Sequence, residues 1–315
     1  MDTKLAVIAF GGNAISRAGQ KGTIKEQIAN VTETCGMLLP LLKRGYQLVI
    51  GHGNGPQVGN VMLQHEAGRK MFGLVQQPLD FCVSETQGSI GYLIEIGLRN
   101  LLKKENIQRD VVTLVTPVVV DQNDPMFANP TKPIGPYYSD NEVEELLQEG
   151  EALYKADPKG NGWRKVVVSP KPLRVGNIQL IEQLARTNYI VIAVGGGGIP
   201  VVENPDGQLH GIEAVIDKDL ASALTAVEIG ADEFYILTDV PHVYVHYNTP
   251  KQQALHTVTV SELKRYLSEG HFTEGSMAPK VRAAIYFTEH GGKKCIITEA
   301  RALSGKETGT QIIKD

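Results

Sequence analysis

Three lysines and two aspartates of this chain stand in settings that suit phosphoryl transfer. Asp217-Lys218-Asp219 begins a predicted helix, Lys132 lies between prolines in residues 129–133, and Lys280 follows Pro279 at another helix start. Phosphoryl transfer needs cations along the line of transfer and carboxylates that place the cations or a metal. Taken singly, each lysine is more typical of a solvated surface charge, and either aspartate could be only a helix N-cap.

Three apolar segments end in glycine-rich loops, which makes the chemical interpretation stronger. The segments VIAF, LVI and IVIAV run into Gly11-Gly12-Asn13-Ala14, Gly51-His52-Gly53-Asn54-Gly55-Pro56 and Gly195-Gly196-Gly197-Gly198. If the segments are parallel strands, their carboxyl ends share one sheet edge, where ligands bind. Glycines let the backbone approach a ligand, and the following helix N-termini present N–H groups to an anion. The sequence therefore predicts an anion site at this edge.

The standard nucleotide fingerprints are absent from the sequence. The segment Gly51-His52-Gly53-Asn54-Gly55 lacks the third glycine of G-x-G-x-x-G, and no G-x-x-x-x-G-K-[ST] segment occurs. The chain is therefore neither an obvious dinucleotide enzyme nor a P-loop ATPase, and phosphate would be held by backbone amides in another way.

Alternating strands and helices must position these residues. Predicted strands cover 4–10, 47–50, 111–120, 190–194, 233–237 and 294–298; predicted helices cover 24–43, 57–69, 84–104, 177–186, 217–229, 260–269 and 279–289. In the first helix Ile28, Val31, Cys35, Leu38 and Leu42 form the apolar face, and Pro40 is expected to kink its last turn. This order is typical of an α/β protein with a mainly parallel sheet and helices on both faces.

The middle of the chain has a different character. Five prolines fall between residues 117 and 136, and an acidic helix over 139–155 is predicted to begin at a capping box of Ser139 and Glu142. We interpret residues 121–170 as an inserted subdomain that stands off the main body. A long irregular crossover is the alternative.

Composition limits the class of protein. The chain has 315 residues and a formal net charge of −4, so no basic excess favours a nucleic-acid partner. The apolar stretch 190–202 is broken by four glycines, and the N-terminus lacks the pattern of a secretory signal. Three scattered cysteines, Cys35, Cys82 and Cys295, predict no disulfide framework. We therefore expect no membrane partner and a cytoplasmic location.

Motifs spread over nearly the whole chain resemble those of the carbamate kinase family, within the amino-acid-kinase superfamily. They are GGNAI (11–15), GNGPQVGN (53–60), TQGSIGY (86–92), NPTKPIGP (129–136), WRKVV (163–167), SPKP (169–172), GGGGIPVV (195–202), EAVIDKD (213–219) and GSM with PK (275–277, 279–280). The glycine loops alone indicate the superfamily, whereas the proline-rich segment around Lys132 indicates carbamate kinases in particular.

This resemblance implies a fold, an assembly and a reaction. The fold would be a three-layer αβα sandwich on a mainly parallel sheet, the amino-acid-kinase fold, in a homodimer. Residues 1–210 would form the phosphoacceptor lobe, interrupted by the protruding lid-like subdomain 121–170, and residues 211–315 would form the nucleotide lobe. The reaction would be carbamoyl phosphate + ADP ⇌ carbamate + ATP with Mg²⁺, running toward ATP in a catabolic pathway such as arginine deiminase.

The resemblance also implies roles for individual residues. Lys132, on the lid, and Lys218 would contact the moving phosphoryl group or carbamate, Asp219 would position the lysines with Asp217 as second choice, and Lys280 would bind nucleotide phosphates. The loops would bind substrate and phosphate through Gly11, Gly12, Asn13, Gly53, Asn54, Gly55, Gly195, Gly196 and Gly197. No side-chain metal cluster is expected, because Mg²⁺ would be held mainly through the nucleotide phosphates.

The nucleotide edge departs from the pattern of the superfamily. Relatives often carry Thr-Asp-Val-Asp-Gly where this chain has Thr238-Asp239-Val240-Pro241-His242. The candidates for nucleotide binding are Asp217, Asp239, Tyr244, Met277 and Lys280.

Two alternatives remain open from the sequence. One is a kinase of the same superfamily with another acceptor, such as N-acetylglutamate or glutamate. The other is a nucleotide-binding relative that has kept the fold but lost turnover. The joint presence of Lys132, Lys218, Asp219 and Lys280 argues against the second alternative.

Overall fold

An eight-stranded, mostly parallel sheet lies at the centre of the protein in the computed structural model, which describes residues 3–17, 19–150, 153–157, 160–304 and 309–315. From edge to edge its strands are β15 (Thr257–Thr259), β17 (Thr310–Ile313), β16 (Lys294–Glu299), β12 (Glu233–Thr238), β1 (Leu5–Phe10), β2 (Gln47–His52), β9 (Tyr189–Ile192) and β3 (Asp110–Thr113). The six strands from β16 to β3 are parallel, and β17 pairs antiparallel with β16. The predicted mainly parallel sheet is confirmed.

Helices cover both faces of this sheet. One layer contains α1 (Ile24–Met37), α2 (Leu39–Lys43) and α4 (Leu79–Lys104); the other contains α6 (Ile178–Arg186), α7 (Lys218–Glu228), α8 (Val260–Ser268) and α9 (Met277–Glu289). Alternate residues of the fully buried strand β1 point into the two layers, because successive side chains of a strand face opposite ways. The three-layer αβα sandwich is therefore confirmed. Among the described residues, no helix combines the length and apolarity needed to cross a bilayer.

The predicted strand 111–120 is wrong, because two strands occupy these residues. After β3 the chain leaves the central sheet, and β4 (Pro117–Val120) enters a second one. The strands of that sheet, in order, are β11 (Leu209–Gly211), β10 (Ile199–Glu203), β4 and β8 (Pro172–Val175). At the junction the buried side chain of Gln87 bonds both backbone groups of Thr116. The side chain of Gln87 therefore bonds the backbone at the junction, and the Thr116 carbonyl also accepts from the N–H group of Ile199.

The predicted helix 24–43 consists of two helices separated at Leu38. The kink expected from Pro40 is a full break, and Pro40 lies in the first turn of α2, where its missing N–H has no partner to lose. Ile28, predicted on the buried face, is 49% exposed. The reason is that α1 buries only its second half, from Asn30 to Cys35.

Three strands between residues 132 and 167 build a small antiparallel sheet of their own, which we call the protruding sheet. It contains, in order, β5 (Lys132–Tyr138), β7 (Trp163–Val167) and β6 (Leu153–Ala156), and α5 (Asp140–Glu149) follows β5 in the chain. The capping box is confirmed: Ser139 N–H donates to Glu142 Oε2 at 2.7 Å, and Glu142 N–H donates to Ser139 Oγ. The predicted helix end at residue 155 is wrong. Gly150 is extended and ends the helix, and β6 follows.

The protruding sheet rests closely on helix α3 (Gly55–Phe72). A Cβ atom added to Gly59 of α3 would lie only 2.0 Å from the Cα atom of Gly135 in β5. Beside this contact, Ile134 shares an apolar cluster with Val58, Cys82 and Val215. The two backbones can approach this closely only because Gly59 has no side chain, whereas a Cβ at Gly135 would meet Gly59 at an ordinary 3.5 Å.

An alanine at Gly59 is expected to separate these backbones. The variant Gly59→Ala should lose about 1–3 kcal/mol of unfolding free energy, because neither backbone can move without disturbing packed elements. Gly88→Ala is the matched control in α4: its added Cβ would meet nothing within 4 Å. The control should gain about 0.5–1 kcal/mol from helix propensity. Urea unfolding measures both, and equal effects would contradict the proposed close contact.

Candidate active site

The glycine loops meet at one edge of the central sheet. Strands β12, β1, β2 and β9 are parallel neighbours, so their carboxyl ends lie side by side. Gly11 follows β1, Gly53 follows β2, Gly195 lies three residues beyond β9, and Asp239 follows β12. The backbone of Asn13 lies in the short 3-10 turn Gly12–Ala14 of the first loop. The topology thus brings the predicted loops together.

The loop after β9 is packed against its neighbours without room for side chains. Added Cβ atoms at Gly195, Gly196 and Gly197 would lie 2.4, 2.3 and 2.2 Å from atoms of His52, Asn54 and Ile216. The φ angles of Gly196 and Gly197 are +66° and +94°, in the region that favours glycine. The glycines therefore place peptide groups where larger residues could not follow.

Three lysines and two aspartates converge at the same edge. Lys132 Nζ, at the start of β5, donates to Asp217 Oδ2 at 2.5 Å. Lys280 Nζ, in the first turn of α9, donates to Asp219 Oδ2 at 3.1 Å. Lys218 Nζ donates to Asp219 Oδ1. We call these five residues the ion cluster; it joins the protruding sheet, α7 and α9.

Local structure fixes the two aspartates of the cluster. Asp217 is the N-cap of α7, and its Oδ1 atom accepts hydrogen bonds from the backbone N–H groups of Asp219 and Leu220. Its Oδ2 atom remains for Lys132. Asp217 is therefore both the N-cap of α7 and the charge partner of Lys132. Asp219 accepts hydrogen bonds from the other two lysines, and its role as a positioning residue stays a prediction.

Burial and charge oppose each other in the ion cluster. Burial alone would raise the pKa of Asp217 and of Asp219, but the neighbouring lysines outweigh it and hold both carboxyls below their usual range. Burial lowers the pKa of Lys218, which Asp219 only partly offsets. For Lys280 the carboxylates outweigh burial, and its pKa is raised. Three ammonium groups face two carboxylates, so the cluster favours an added anion.

His52 contributes no charge to this site. Its ring is buried, and burial lowers its pKa to about 4, so the imidazole is neutral at physiological pH. Its Nδ1 atom lies 3.1 Å from the carbonyl oxygen of Gly53, which can only accept, so Nδ1 carries the proton. The ring therefore supports the glycine loop as a neutral donor.

Gln87 and Thr86 of α4 were not assigned a role from the sequence. Gln87 Nε2 donates to the carbonyls of Gly195 at 2.9 Å and Thr116 at 3.2 Å, and its Oε1 accepts from Thr116 N–H at 2.9 Å. Thr86 Oγ1 accepts from Asn54 Nδ2 at 2.9 Å. The available signal was position: Gln87 lies three residues before Ile90, on the apolar face of the helix.

A cleft of about 580 Å³ adjoins the ion cluster at Lys280. Among the residues that line it are Gly11, Gly12, Thr238, Asp239, Gly275, Ser276 and Lys280. Its volume lies within the range of about 300–1,000 Å³ that is usual for small-molecule sites. Two of the glycines predicted to bind phosphate and two predicted nucleotide residues, Asp239 and Lys280, therefore face this space.

Tyr244 and Met277 are not among the residues that line this cleft. Tyr244 lies in the hairpin of β13 (Val243–Val245) and β14 (Gln253–Leu255), with its ring beside those of His242 and Tyr247. Met277 is the first residue of α9 and packs against the larger core. Their role in nucleotide binding stays a prediction.

Comparison with known sequences identifies a family. The sequence model of the Amino acid kinase family matches residues 4–299. The carbamate kinase of Pyrococcus furiosus is 47% identical over 314 residues, which cover 98% of this chain and 99% of that protein. Carbamate kinase 1 of Enterococcus faecium is 45% identical over 311 residues, which cover 98% and 97%.

Solved structures agree with the sequence comparison. The carbamate kinase from Giardia lamblia bound to citric acid superimposes with a TM-score of 0.93 at 38% identity, covering 100% of this chain and 99% of that one. The same enzyme bound to AMP-PNP gives a TM-score of 0.89 at 40% identity, with 100% and 99% coverage.

Removing the amide of Gln87 is expected to loosen the site. Gln87→Leu leaves the buried N–H group of Thr116 without a partner and removes one of the two hydrogen bonds at each of the carbonyls of Thr116 and Gly195, so about 1–3 kcal/mol of unfolding free energy should be lost. Gln183→Leu, at an exposed position of α6, is the control and should change stability by less than about 0.5 kcal/mol. Urea unfolding measures both; if Gln87→Leu behaves like the control, Gln87 does not hold the loop.

Proposed function

The chain belongs to the amino acid kinase family and is a phosphotransferase, and we propose that it converts carbamoyl phosphate and ADP reversibly to carbamate and ATP. The observation that carries this proposal is the ion cluster, in which a lysine from the protruding sheet meets two lysines of the main body. The two relatives named above are carbamate kinases, and this chain matches 99% and 97% of their lengths. Their similarity supports carbamate as the acceptor.

Transfer would be direct and in line, without a covalent intermediate on the protein. The backbone N–H groups of the glycine loops and the ammonium group of Lys218 would surround the moving phosphoryl group. Gly53 supports this arrangement, because its Cα lies against the aliphatic part of Lys218: an added Cβ would be 3.2 Å from Lys218 Cδ. Such preorganised donors stabilise the charge that develops on the transferring oxygens.

Lys132 would act on the acceptor side, as part of a lid formed by residues 121–170. Its ammonium group donates a hydrogen bond to Asp217 at the edge of the sheet. Carbamate is too small to offer many contacts, so a lysine brought in by a separate sheet would supply one and would help to exclude water. The anion would add negative charge, which three ammonium groups can accommodate.

The nucleotide would occupy the adjoining cleft, in the lobe of residues 211–315. Lys280 lines the cleft and also belongs to the ion cluster, so it is placed to contact the phosphates of ADP or ATP. Asp217, Asp239, Tyr244 and Met277 remain candidates for further contacts. The AMP-PNP complex of the Giardia lamblia enzyme supports a nucleotide ligand.

Mg²⁺ would be held mainly through the nucleotide phosphates. All four carboxylate oxygens of Asp217 and Asp219 already accept hydrogen bonds from lysines or from backbone N–H groups. The aspartates are therefore better suited to orient the lysines than to bind the ion directly. When bound, Mg²⁺ would neutralise part of the phosphate charge.

A homodimer, a cytoplasmic location and net flux toward ATP in a catabolic pathway such as arginine deiminase belong to the same proposal. Exposed apolar side chains on α4 support a partner surface, among them Phe81, Tyr92 and Ile96. A kinase for another acceptor, or a relative that binds nucleotide without turnover, is the alternative.

The proposed activity is tested by ATP formation. Purified protein given ADP, carbamoyl phosphate and Mg²⁺ should produce ATP, measured with a hexokinase-coupled assay. Lys218→Ala and Lys132→Ala should each lower kcat/KM by at least about 100-fold, because each removes a cation from the transfer path. Lys264→Ala is the control and should retain activity. The exposed ammonium group of Lys264, in α8, pairs with Glu289, the last residue of α9.

The alternatives have separate signatures in this experiment. ATP formation from acetylglutamyl or glutamyl phosphate alone would indicate another acceptor. Tight ADP binding without any turnover would indicate a non-catalytic relative. Full activity of Lys132→Ala would rule out its role on the acceptor side.

Lys218 is expected to set the alkaline limit of activity. Because burial lowers its pKa and the site needs the charged form, kcat/KM should fall at a pH below the value of about 10.4 for a free lysine. Asp219→Asn removes the carboxylate that raises this pKa, so the alkaline limb should move to lower pH. Asp232→Asn, which pairs with Lys293 elsewhere, is the control. A limb that stays in place or moves upward in Asp219→Asn would contradict this assignment.

A further inference from the structure

A second group of potential ligand atoms lies outside the ion cluster, between helices α3 and α4. His65 Nε2, Cys82 Sγ and a carboxylate oxygen of Glu85 all lie within 4.8 Å of one another. His65 Nε2 and Glu85 Oε2 are 3.1 Å apart. We find one group of at least three histidine, cysteine or acidic side chains with ligand atoms this close together among the described residues, and it is this group.

Helix geometry explains the convergence. Cys82 and Glu85 are three residues apart in α4, so their side chains leave the same face of the helix one turn from each other. His65 comes from α3, which packs against α4. The three side chains all leave helices, so their meeting does not depend on a loop.

The three side chains differ in chemistry in a way that suits one class of ion. An imidazole, a thiolate and a carboxylate are the ligands that Zn²⁺ takes in proteins, with a water or substrate completing a tetrahedron. With bonds of about 2.0–2.3 Å, the ligands of such an ion lie about 3.3–3.8 Å apart. The observed separations therefore need a shift of only about 1 Å in rotatable side chains.

We propose that His65, Cys82 and Glu85 bind one divalent cation of the Zn²⁺ class. The site is independent of the proposed carbamate kinase activity, because none of its three side chains belongs to the ion cluster or lines the adjoining cleft.

The electrostatic surroundings favour a cation at this place. The carboxylates of Glu85, Asp80 and Glu213 lie near enough to Cys82 to add negative charge around its sulfur. The same three carboxylates create a negative potential at the sulfur, which attracts a divalent ion.

Occupation of the site would connect two helices that support the glycine loops. Helix α3 begins at Gly55, directly after Asn54, and α4 carries Thr86 and Gln87 one turn beyond Cys82. A cation bound by residues of both helices would crosslink them. The expected consequence is greater thermal stability rather than a part in phosphoryl transfer.

Metal binding to the full chain provides the test. Protein treated with a chelator and dialysed should bind one Co²⁺ per chain, with the near-ultraviolet absorption of a thiolate–cobalt bond. One equivalent of Zn²⁺ should displace the Co²⁺, and excess Zn²⁺ at 100 times its Kd should stabilise the fold by about 2.7 kcal/mol, seen as a higher Tm. Cys82→Ser should abolish the absorption, and His65→Gln should weaken binding at least about 10-fold.

Matched cysteine variants separate this site from general thiol binding. Cys35→Ser and Cys295→Ser remove the other two buried thiols and should bind Co²⁺ as the unaltered chain does. The proposal is wrong if the unaltered chain shows no thiolate–cobalt band, or if Cys82→Ser retains it. If Cys82→Ser does not fold, judged by circular dichroism, Glu85→Gln decides: undiminished affinity in that variant would overturn the proposed ligand set.

Discussion

Burial of opposite charges at the carboxyl edge of the sheet is the interaction on which the rest of this structure depends. Asp217 and Asp219 are 8% and 2% exposed, and an isolated carboxylate at such depth would be unfavourable by several kcal/mol. Each carboxylate is therefore matched by lysines and by helix N–H groups. Since the lysines come from β5, α7 and α9, satisfying these two charges also fixes where the protruding sheet and two helices must lie.

The glycine loops meet a second requirement of the same site. An anion is bound well by peptide N–H groups only if those groups can approach it, and side chains at Gly195, Gly196 or Gly197 would collide with the neighbouring loop. A loop made of glycines has no side chains to fix its position, so neighbouring residues must hold it. Gln87 and His52 supply it by hydrogen bonds to loop carbonyls, which leaves the positive charge of the site to the lysines.

Two polar clusters of different character therefore lie in this protein. The ion cluster combines hard oxygen and ammonium groups with an excess of positive charge, which suits phosphate. The group between α3 and α4 combines sulfur, nitrogen and oxygen with an excess of negative charge, which suits a soft cation. The two groups lie on different elements, since the ion cluster belongs to β5, α7 and α9 and the second group to α3 and α4.

The sequence by itself determined the alternation of strands and helices and pointed to the lysines and aspartates that the fold brings together. Apolar runs followed by glycines predicted the parallel strands, because strand formation and turn formation depend mainly on neighbouring residues. The capping box at Ser139 and the lysine-aspartate motif at 217–219 were likewise local signals. Only the tertiary structure decided that 111–120 forms two strands, because the break depends on Gln87, which is distant in sequence. Only the tertiary structure paired Lys132 with Asp217 and Lys280 with Asp219, and brought His65 to Cys82 and Glu85. Those contacts join residues 17 to 85 positions apart, and such proximity follows from packing rather than from local preference.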